Sequence, residues 1–284
     1  MFVPHRILEE KLRQILAEDI GQGDITTQMI IPPNTELNAI IVAKEDGVAA
    51  GIEETVVLAE YLGFKVKVKV VDGEKIQNKQ VLLEIFGDAR TILSAERTML
   101  NLLSRMSGIA TTTRTLTEKL EKAGVKAKIA ATRKSAPGLL FFDKKAVLIG
   151  DGDPHRLHLD DMILIKDNHL AIIGNVEAAV VKAKANASFT KKIEVEVTNL
   201  EDALKAASAG AEIIMLDNFS PKNVKDAVEA LRKAGFDDVL LEVSGGITAE
   251  NMIEYAKAQV DIISMGSLTH SVKALDISLE IKSK

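Results

Sequence analysis

Hydrophobic residues in the first third of the chain recur at two periods, which predict a mixture of helices and strands. Apolar positions within 7–18 recur at helical spacing and predict a short amphipathic helix. Residues 65–70 alternate strictly between lysine and valine, a pattern typical of a half-buried antiparallel strand with one solvent-facing side. Strands are also predicted at 38–44 and 80–86, and a helix at 51–62. This part of the chain is therefore predicted to be an α+β domain.

The pattern changes after a long helix predicted over about 89–107. Short runs that are apolar throughout then alternate with helical stretches, as in parallel strands buried on both faces. These strands are predicted at 128–132, 162–166, 193–197, 213–217, 239–243 and 261–265. A further run at 146–149 is either a strand or a helix end. Six strands, or about seven, predict an open β/α barrel, with a doubly wound open sheet as the alternative.

The change of pattern also predicts two domains. Residues 1–107 would form the N-terminal domain, and residues 108–270 the open α/β barrel domain. The last residues, 271–284, contain a strand or helix that we expect to pack back on the first domain.

Composition narrows the possible functions. The 284 residues are 46% hydrophobic, which excludes a disordered chain, and the net charge of -5 argues against a basic nucleic-acid binder. The chain has no cysteine, so disulfides, thiolate metal sites and cysteine nucleophiles are excluded. It has no signal-like N-terminus and no apolar run of about 18 residues, so we expect a soluble cytoplasmic protein without a membrane partner.

Charged residues follow the predicted strands at their C-terminal ends. In parallel α/β folds these ends meet on one rim, where ligands bind. The cationic residues in this position are Arg133, Lys134, Arg156 and Lys166, with His155 beside Arg156. Together they predict a locally positive region suited to a small polyanion. Lys144 and Lys145 are expected to belong to a solvated face instead.

Glycines near the last two strands predict a phosphate site. Ser244, Gly245 and Gly246 follow one strand and precede Thr248, which we expect at a helix start. Glycine lets backbone N–H groups approach a phosphate, and a helix N-terminus adds positive potential. Gly266 after the next strand would extend the same site.

Acidic residues complete the predicted site. Glu194 and Glu196 are two residues apart on a strand, so both side chains point to one face. Buried carboxylates need a cation, a metal or ligand hydroxyls as partners. Glu196 and Asp217 are candidates for holding Mg²⁺ or receiving ribose hydroxyls. For Glu194 we favour a salt bridge to a neighbouring lysine.

These residues stand in motifs that resemble the quinolinate phosphoribosyltransferase family. The matching segments are 18–27, 95–101, 107–111, 132–134, 155–156, 165–169, 194–196, 216–218 and 244–246. Their order and spacing agree from about residue 18 to residue 279. The resemblance implies an N-terminal α/β sandwich domain followed by an open, seven-stranded α/β barrel. It also implies the conversion of quinolinate and phosphoribosyl diphosphate to nicotinate mononucleotide, diphosphate and CO₂, in NAD biosynthesis.

The resemblance also implies roles for individual residues. Substrate binding would fall to Arg97, Thr132, Arg133, Lys134, His155, Arg156 and Lys166. Catalysis would involve Lys134, Lys166, Glu196 and Asp217, the last two facing the ribose and Mg²⁺. Phosphate would be held by Ser244, Gly245, Gly246 and Gly266. Arg97 would reach the neighbouring site across a homodimer interface.

The chain departs from the family pattern at three positions: Ser135 replaces a threonine, Leu140 replaces an arginine, and Asp151 stands within a common glycine triplet. Three rival functions remain open. They are a paralogous phosphoribosyltransferase for another aromatic acid, a different barrel enzyme acting on a phosphorylated sugar, and an anion-binding sensor without turnover.

Overall fold

The computed structural model describes residues 3–282, which divide into two compact units. The first unit comprises the described parts of Met1–Arg114, Phe141–Asp151 and Ser271–Lys284, and the second comprises Thr115–Leu140 and Gly152–His270. The helices are α1 His5–Ile20, α2 Ile25–Ile30, α3 Ile52–Tyr61, α4 Ala89–Lys122, α5 Leu140–Ile149, α6 Asp167–Ile173, α7 Val176–Asn186, α8 Leu200–Ala209, α9 Pro221–Lys233, α10 Met252–Ala256 and α11 Ser267–His270. The strands are β1 Glu36–Ala43, β2 Gly47–Val48, β3 Lys65–Val68, β4 Lys75–Ile76, β5 Val81–Asp88, β6 Lys128–Ala130, β7 Ile163–Ile165, β8 Ile193–Val197, β9 Ile213–Asp217, β10 Leu240–Ser244, β11 Ile262–Ser264 and β12 Ile277–Ile281.

The first unit contains a four-stranded sheet in the order β12-β1-β5-β3. Strand β1 pairs antiparallel with both β5 and β12, so the last strand of the chain belongs to this first sheet. Strand β3 lies at the edge, where Val68 is 43% exposed. The predicted burial of one valine face was therefore wrong at Val68, because an edge strand is covered less than a central one.

Helix α4 is longer than its predicted range of 89–107. The hydroxyls of Thr111, Thr112 and Thr113 each donate to the backbone carbonyl four residues earlier, so these threonines are accommodated within the helix. Gly108 is required for packing, since an added Cβ would lie 2.1 Å from the carbonyl oxygen of Lys273.

Helix α5 overturns the prediction for two lysines. Lys144 is 0% exposed and Lys145 is 6% exposed, so neither lies on a solvated face. Lys145 Nζ donates to Glu54 Oε1 at 2.6 Å and also bonds to Glu53. Carboxylates contributed by α3 therefore compensate the charge of this buried lysine.

The second unit contains six parallel strands in the order β6-β11-β10-β9-β8-β7, with helices between them along the chain. Instead of a full seventh strand, the part of the chain described here has one parallel bridge, between Ala130 and Asp153. The run at 146–149 belongs to α5, so the helix alternative is correct there. These strands and helices confirm the predicted α/β class.

Strand register sets which side chains share a face. Glu196 on β8 is level with Met215 on β9, which is level with Glu242 on β10. Two residues nearer the carboxyl ends of the strands, and on the same face, Asp217 is level with Ser244. Because neighbouring parallel strands keep level residues on one face, this face carries acidic groups from several strands. Within residues 3–282, no helix combines the length and apolar character needed to cross a membrane.

Candidate active site

A cavity of about 620 Å³ opens at the carboxyl ends of the strands in the second unit. Eleven residues predicted from the sequence line it: Thr132, Arg133, Lys134, His155, Arg156, Lys166, Glu196, Asp217, Ser244, Gly245 and Gly246. They come from segments that are far apart in the chain and meet because parallel strands present their carboxyl ends on one rim. We call this cavity the rim pocket.

Two predicted residues lie elsewhere. Gly266 follows β11 and lies behind Lys134, which lines the pocket. A Cβ added to Gly266 would lie 3.2 Å from Cδ of Lys134. Its missing side chain therefore leaves room for the stem of Lys134. Arg97 belongs to α4 in the first unit, where its side chain is exposed.

Lys166 and Glu196 form an ion pair across the ends of β7 and β8. Lys166 Nζ donates to Glu196 Oε2 at 2.8 Å, and Glu196 is only 15% exposed while Lys166 is 43% exposed. The lysine can therefore exchange its carboxylate partner for an anionic ligand at moderate desolvation cost.

Asp217 ends β9 and faces both acidic and basic neighbours. Burial and the charge of Glu196 raise the pKa of Asp217, while the Asn218 side chain, Lys166 and Lys134 act in the opposite direction. Asn218 Nδ2 donates to Asp217 Oδ2 at 2.6 Å and so orients the carboxylate. Two carboxylates that repel each other in this way can be stabilised by a hard cation such as Mg²⁺, which prefers oxygen ligands.

The glycine turn after β10 has a demanding backbone. Gly245 and Gly246 both have positive φ values, 91° and 62°. A Cβ at Gly245 would lie 2.3 Å from Oδ1 of Asn218, whereas one at Gly246 would meet open space. The predicted helix start at Thr248 was wrong, because α10 begins at Met252 and Thr248 Oγ1 instead accepts weak turn hydrogen bonds. The turn therefore owes its shape to its glycines rather than to a helix terminus.

His155 occupies the floor of the rim pocket and binds two buried carboxylates. Its Nε2 atom lies 3.2 Å from Glu242 Oε2 and 3.3 Å from Glu194 Oε2. Burial lowers the pKa of His155, whereas the contacts and charges of the two carboxylates raise it. Burial and the charge of Glu242 also raise the pKa of Glu194.

Two arginines stand beside this histidine. Burial and the nearby charge of Arg133 lower the pKa of Arg156, and the negative charge of Glu194 opposes that effect. The sequence prediction that Glu194 pairs with a lysine was therefore wrong: its neighbours are His155 and Arg156. This pairing could not be read from the sequence, because His155 stands in a loop far from β8 along the chain.

Sequence reasoning missed three polar residues of the rim pocket: Asn218, Glu242 and Ser264. A signal existed for Glu242, which interrupts the apolar run of β10 as Glu194 interrupts that of β8. The feature that marks Asn218, a left-handed backbone with a φ of 57°, is visible only in the structure. Ser264 is 3% exposed and its hydroxyl has no hydrogen-bond partner among the described residues.

One departure from the family pattern has a structural explanation. Asp151 has a φ of 63°, a conformation that glycine adopts readily, and its Oδ2 atom lies 2.9 Å from Nε of Arg114. The ion pair offsets part of the backbone strain. Ser135 follows the cationic pair in a turn in which its N–H donates to the carbonyl of Arg133 at 3.1 Å. Nothing in the structure explains Leu140.

Family models match nearly the whole chain. The model described as quinolinate phosphoribosyl transferase, N-terminal domain, matches residues 24–107, and the model of the C-terminal domain of the same enzyme matches residues 109–280. These two adjoining matches cover both the first sheet and all the strands that form the rim pocket.

Individual relatives agree with the family models. A probable nicotinate-nucleotide pyrophosphorylase [carboxylating] of Methanocaldococcus jannaschii is 49% identical over 274 residues, covering 95% of each chain. One of Methanothermobacter thermautotrophicus is 45% identical, covering 95% of this chain and 98% of the other. The solved nicotinate-nucleotide pyrophosphorylase of Francisella tularensis superposes with a TM-score of 0.90 at 37% identity, covering 99% and 98% of the two chains. The chain therefore belongs to the quinolinate phosphoribosyltransferase family.

Proposed function

We propose that this protein is a decarboxylating phosphoribosyltransferase that converts quinolinate and phosphoribosyl diphosphate to nicotinate mononucleotide, diphosphate and CO₂. The single observation that carries the proposal is the rim pocket, where four cationic side chains face two carboxylates. Two highly negative substrates need such a set of cations to come together. Family membership supports the same reaction.

The cations divide between two anionic ligands. Quinolinate presents two carboxylates, and phosphoribosyl diphosphate presents a diphosphate and a 5-phosphate. We assign Arg133 and Arg156 to the quinolinate carboxylates, with Thr132 and His155 beside them. Lys134 and Lys166 would contact both ligands as the diphosphate leaves. Holding the two reactants in line lowers the entropic part of the activation barrier.

The two carboxylates of the rim pocket would act on the ribose. Loss of diphosphate gives the ribose an oxocarbenium-like character, and the carboxylates of Glu196 and Asp217 would stabilise that positive charge. The same two residues would hold Mg²⁺, which when bound neutralises charge on the diphosphate. Lys166 is already paired with Glu196 at 2.8 Å, so ligand binding would redistribute this ion pair.

The bonding changes balance without a side-chain nucleophile. The pyridine nitrogen forms a bond to ribose C1 while the C1–oxygen bond to diphosphate breaks. The carbon–carbon bond to the 2-carboxylate then breaks and releases CO₂, and its electron pair stays on ring carbon 2 beside the cationic nitrogen. A proton derived from solvent completes the product. The cations of the pocket stabilise the negative charge that develops on the leaving diphosphate.

The glycine turn would take a phosphate. Ser244, Gly245 and Gly246 line the rim pocket and offer a hydroxyl and backbone N–H groups, while Gly266 makes room for Lys134. Positive φ at both turn glycines lets the backbone approach a ligand closely.

The proposal includes a homodimer in which Arg97 of one subunit completes the site of the other. Mixing Arg97→Ala protein with Lys166→Ala protein should restore part of the activity, because hybrid dimers would contain one intact site. No recovery after verified subunit exchange would count against a shared site. A cytoplasmic location remains a prediction from the sequence.

The direct test is an assay with quinolinate and phosphoribosyl diphosphate, with and without Mg²⁺. We expect nicotinate mononucleotide only when both substrates and Mg²⁺ are present. Nicotinate replaces quinolinate in the control, and we expect little turnover from it because it lacks the 2-carboxylate. Turnover of nicotinate at an equal rate, or none with quinolinate, would contradict the proposal.

A further inference from the structure

Two buried carboxylates at the floor of the rim pocket, one of them lining it, have no role in the chemistry described so far. Glu194 is 0% and Glu242 is 1% exposed, and both side chains meet Nε2 of His155, which is 11% exposed. Glu242 Oε2 is the hydrogen-bond acceptor at 3.2 Å, while neither oxygen of Glu194 has a hydrogen-bond partner among the described residues. Burying two acids around one ring costs folding free energy, and a role in the site would account for that cost.

A histidine and two glutamates also resemble a set of metal ligands, and their candidate atoms all lie within 4.8 Å of one another. The other ring nitrogen argues against a metal. Nδ1 of His155 accepts a hydrogen bond from the backbone N–H of Arg156 at 2.8 Å, so a neutral ring carries its proton on Nε2, facing the carboxylates. A metal-bound histidine instead donates its second N–H and presents a bare nitrogen to the ion.

The ring therefore connects the buried acids to the backbone of the pocket. His155 has a left-handed φ of 53°, which costs a residue with a side chain about 1–2 kcal/mol. Its N–H donates to Asp153 Oδ1 at 2.7 Å, and its Nδ1 receives the N–H of the next residue. With Nε2 directed to Glu242, both ends of the ring are fixed, and the ring in turn fixes the turn that carries Arg156.

We propose that Glu242 and Glu194 are positioning residues that act through His155 to hold Arg156 ready for the aromatic dicarboxylate substrate. They do not touch substrate themselves. The inference rests on the proposed function, because quinolinate is the ligand whose binding it predicts. It adds a buried layer of two acids and one hydrogen-bonded ring beneath the cationic pocket.

The test compares two double variants of the full-length protein. Glu194→Met/Glu242→Met removes both acceptors at similar volume, and Glu194→Gln/Glu242→Gln keeps an amide oxygen at each position. We expect the methionine pair to raise KM for quinolinate at least about 10-fold, with kcat and KM for phosphoribosyl diphosphate within about 3-fold of wild type. The glutamine pair should remain within about 3-fold for all three constants. Glu212→Gln, at the exposed residue that precedes β9, is the control and should behave as wild type.

A double-mutant cycle shows whether the effect passes through the ring. In a His155→Ala background the methionine pair should leave KM for quinolinate unchanged, because the group that the acids position is gone. A further rise of KM in that background, or a fall of kcat alone in the methionine pair, would overturn the inference. If the methionine pair does not fold, single Glu242→Met should still raise KM for quinolinate at least about 3-fold, and an unchanged value would overturn it.

The same experiment separates this inference from the proposed function. Wild-type protein that does not turn over quinolinate contradicts the proposed function and takes the inference with it. Wild-type turnover together with an unchanged KM in the acceptor-deleting variants contradicts the inference alone.

Discussion

In two places within residues 3–282, one buried basic side chain meets two glutamates, and the two clusters solve the same electrostatic problem differently. In the first unit, Lys145 bonds to Glu53, which is 57% exposed, and to buried Glu54, and a single buried oxygen, Glu54 Oε2, lacks a hydrogen-bond partner among the described residues. In the second unit, His155 faces Glu194 and Glu242, and three of their four oxygens lack one.

This difference indicates the role of each cluster. A lysine offers three N–H groups and a full charge, so the Lys145 cluster is well satisfied and its role is structural. A histidine whose Nδ1 is occupied offers one N–H, so the His155 cluster is left with unpaired oxygens. Such incomplete satisfaction is expensive in the core and is expected beneath a functional site, where it adjusts the charge and position of groups above it.

The largest expected effect concerns the cations above the His155 cluster. Lys134→Ala or Arg156→Ala should lower kcat/KM for quinolinate at least about 1000-fold, because each change removes a charge that faces two anionic substrates. Steady-state kinetics would measure it. Lys222→Ala removes a cation on α9 that is 86% exposed and serves as the control. Near-normal turnover in either pocket variant would refute the assigned role.

The Lys145 cluster should matter for stability rather than for chemistry. Lys145→Met leaves the buried acid Glu54 without its counter-charge and should lower the free energy of unfolding by about 3–5 kcal/mol. Lys205→Met breaks an exposed pair with Glu201 and should cost less than about 1 kcal/mol. Denaturant titration measures both. A large loss of kcat per folded molecule in Lys145→Met, without loss of stability, would reverse the comparison.

The smallest expected effect concerns the glycine turn at the edge of the rim pocket. Gly245→Ala and Gly246→Ala both place a Cβ at positive φ, which costs about 1–2 kcal/mol of stability. Only Gly245→Ala would displace Asn218, which orients Asp217. We therefore expect kcat/KM to fall about 10-fold further in Gly245→Ala than in Gly246→Ala. Equal kinetics in the two variants would remove Asn218 from the account.

Much of the second unit could be predicted because its signals are local. Six apolar runs, each followed by polar residues, predicted the parallel strands and the residues at their carboxyl ends, and these ends meet by the rules of parallel sheets. Strand β8, 193–197, and strand β9, 213–217, match their predicted ranges. Most residues of the rim pocket could therefore be predicted from short sequence patterns.

The incorrect predictions concern partners that lie far apart in the chain. Lys144 and Lys145 were placed on a solvated face because their own helix carries no sign of the carboxylates that α3 supplies. Glu194 was given a lysine partner because nothing near β8 pointed to a histidine in the loop before β7. Helix and strand periodicity predicts which face is buried, but the identity of a buried partner depends on tertiary packing.

The measurement that tests the central claim most directly follows two products at once: CO₂ from quinolinate labelled in its 2-carboxylate, and diphosphate from phosphoribosyl diphosphate. Because one pocket is proposed to carry out both bond cleavages, wild-type protein should release the two products in equal amounts and only when phosphoribosyl diphosphate is present. Arg156→Ala should lower both together. Diphosphate release without labelled CO₂, or CO₂ release without phosphoribosyl diphosphate, would contradict the claim.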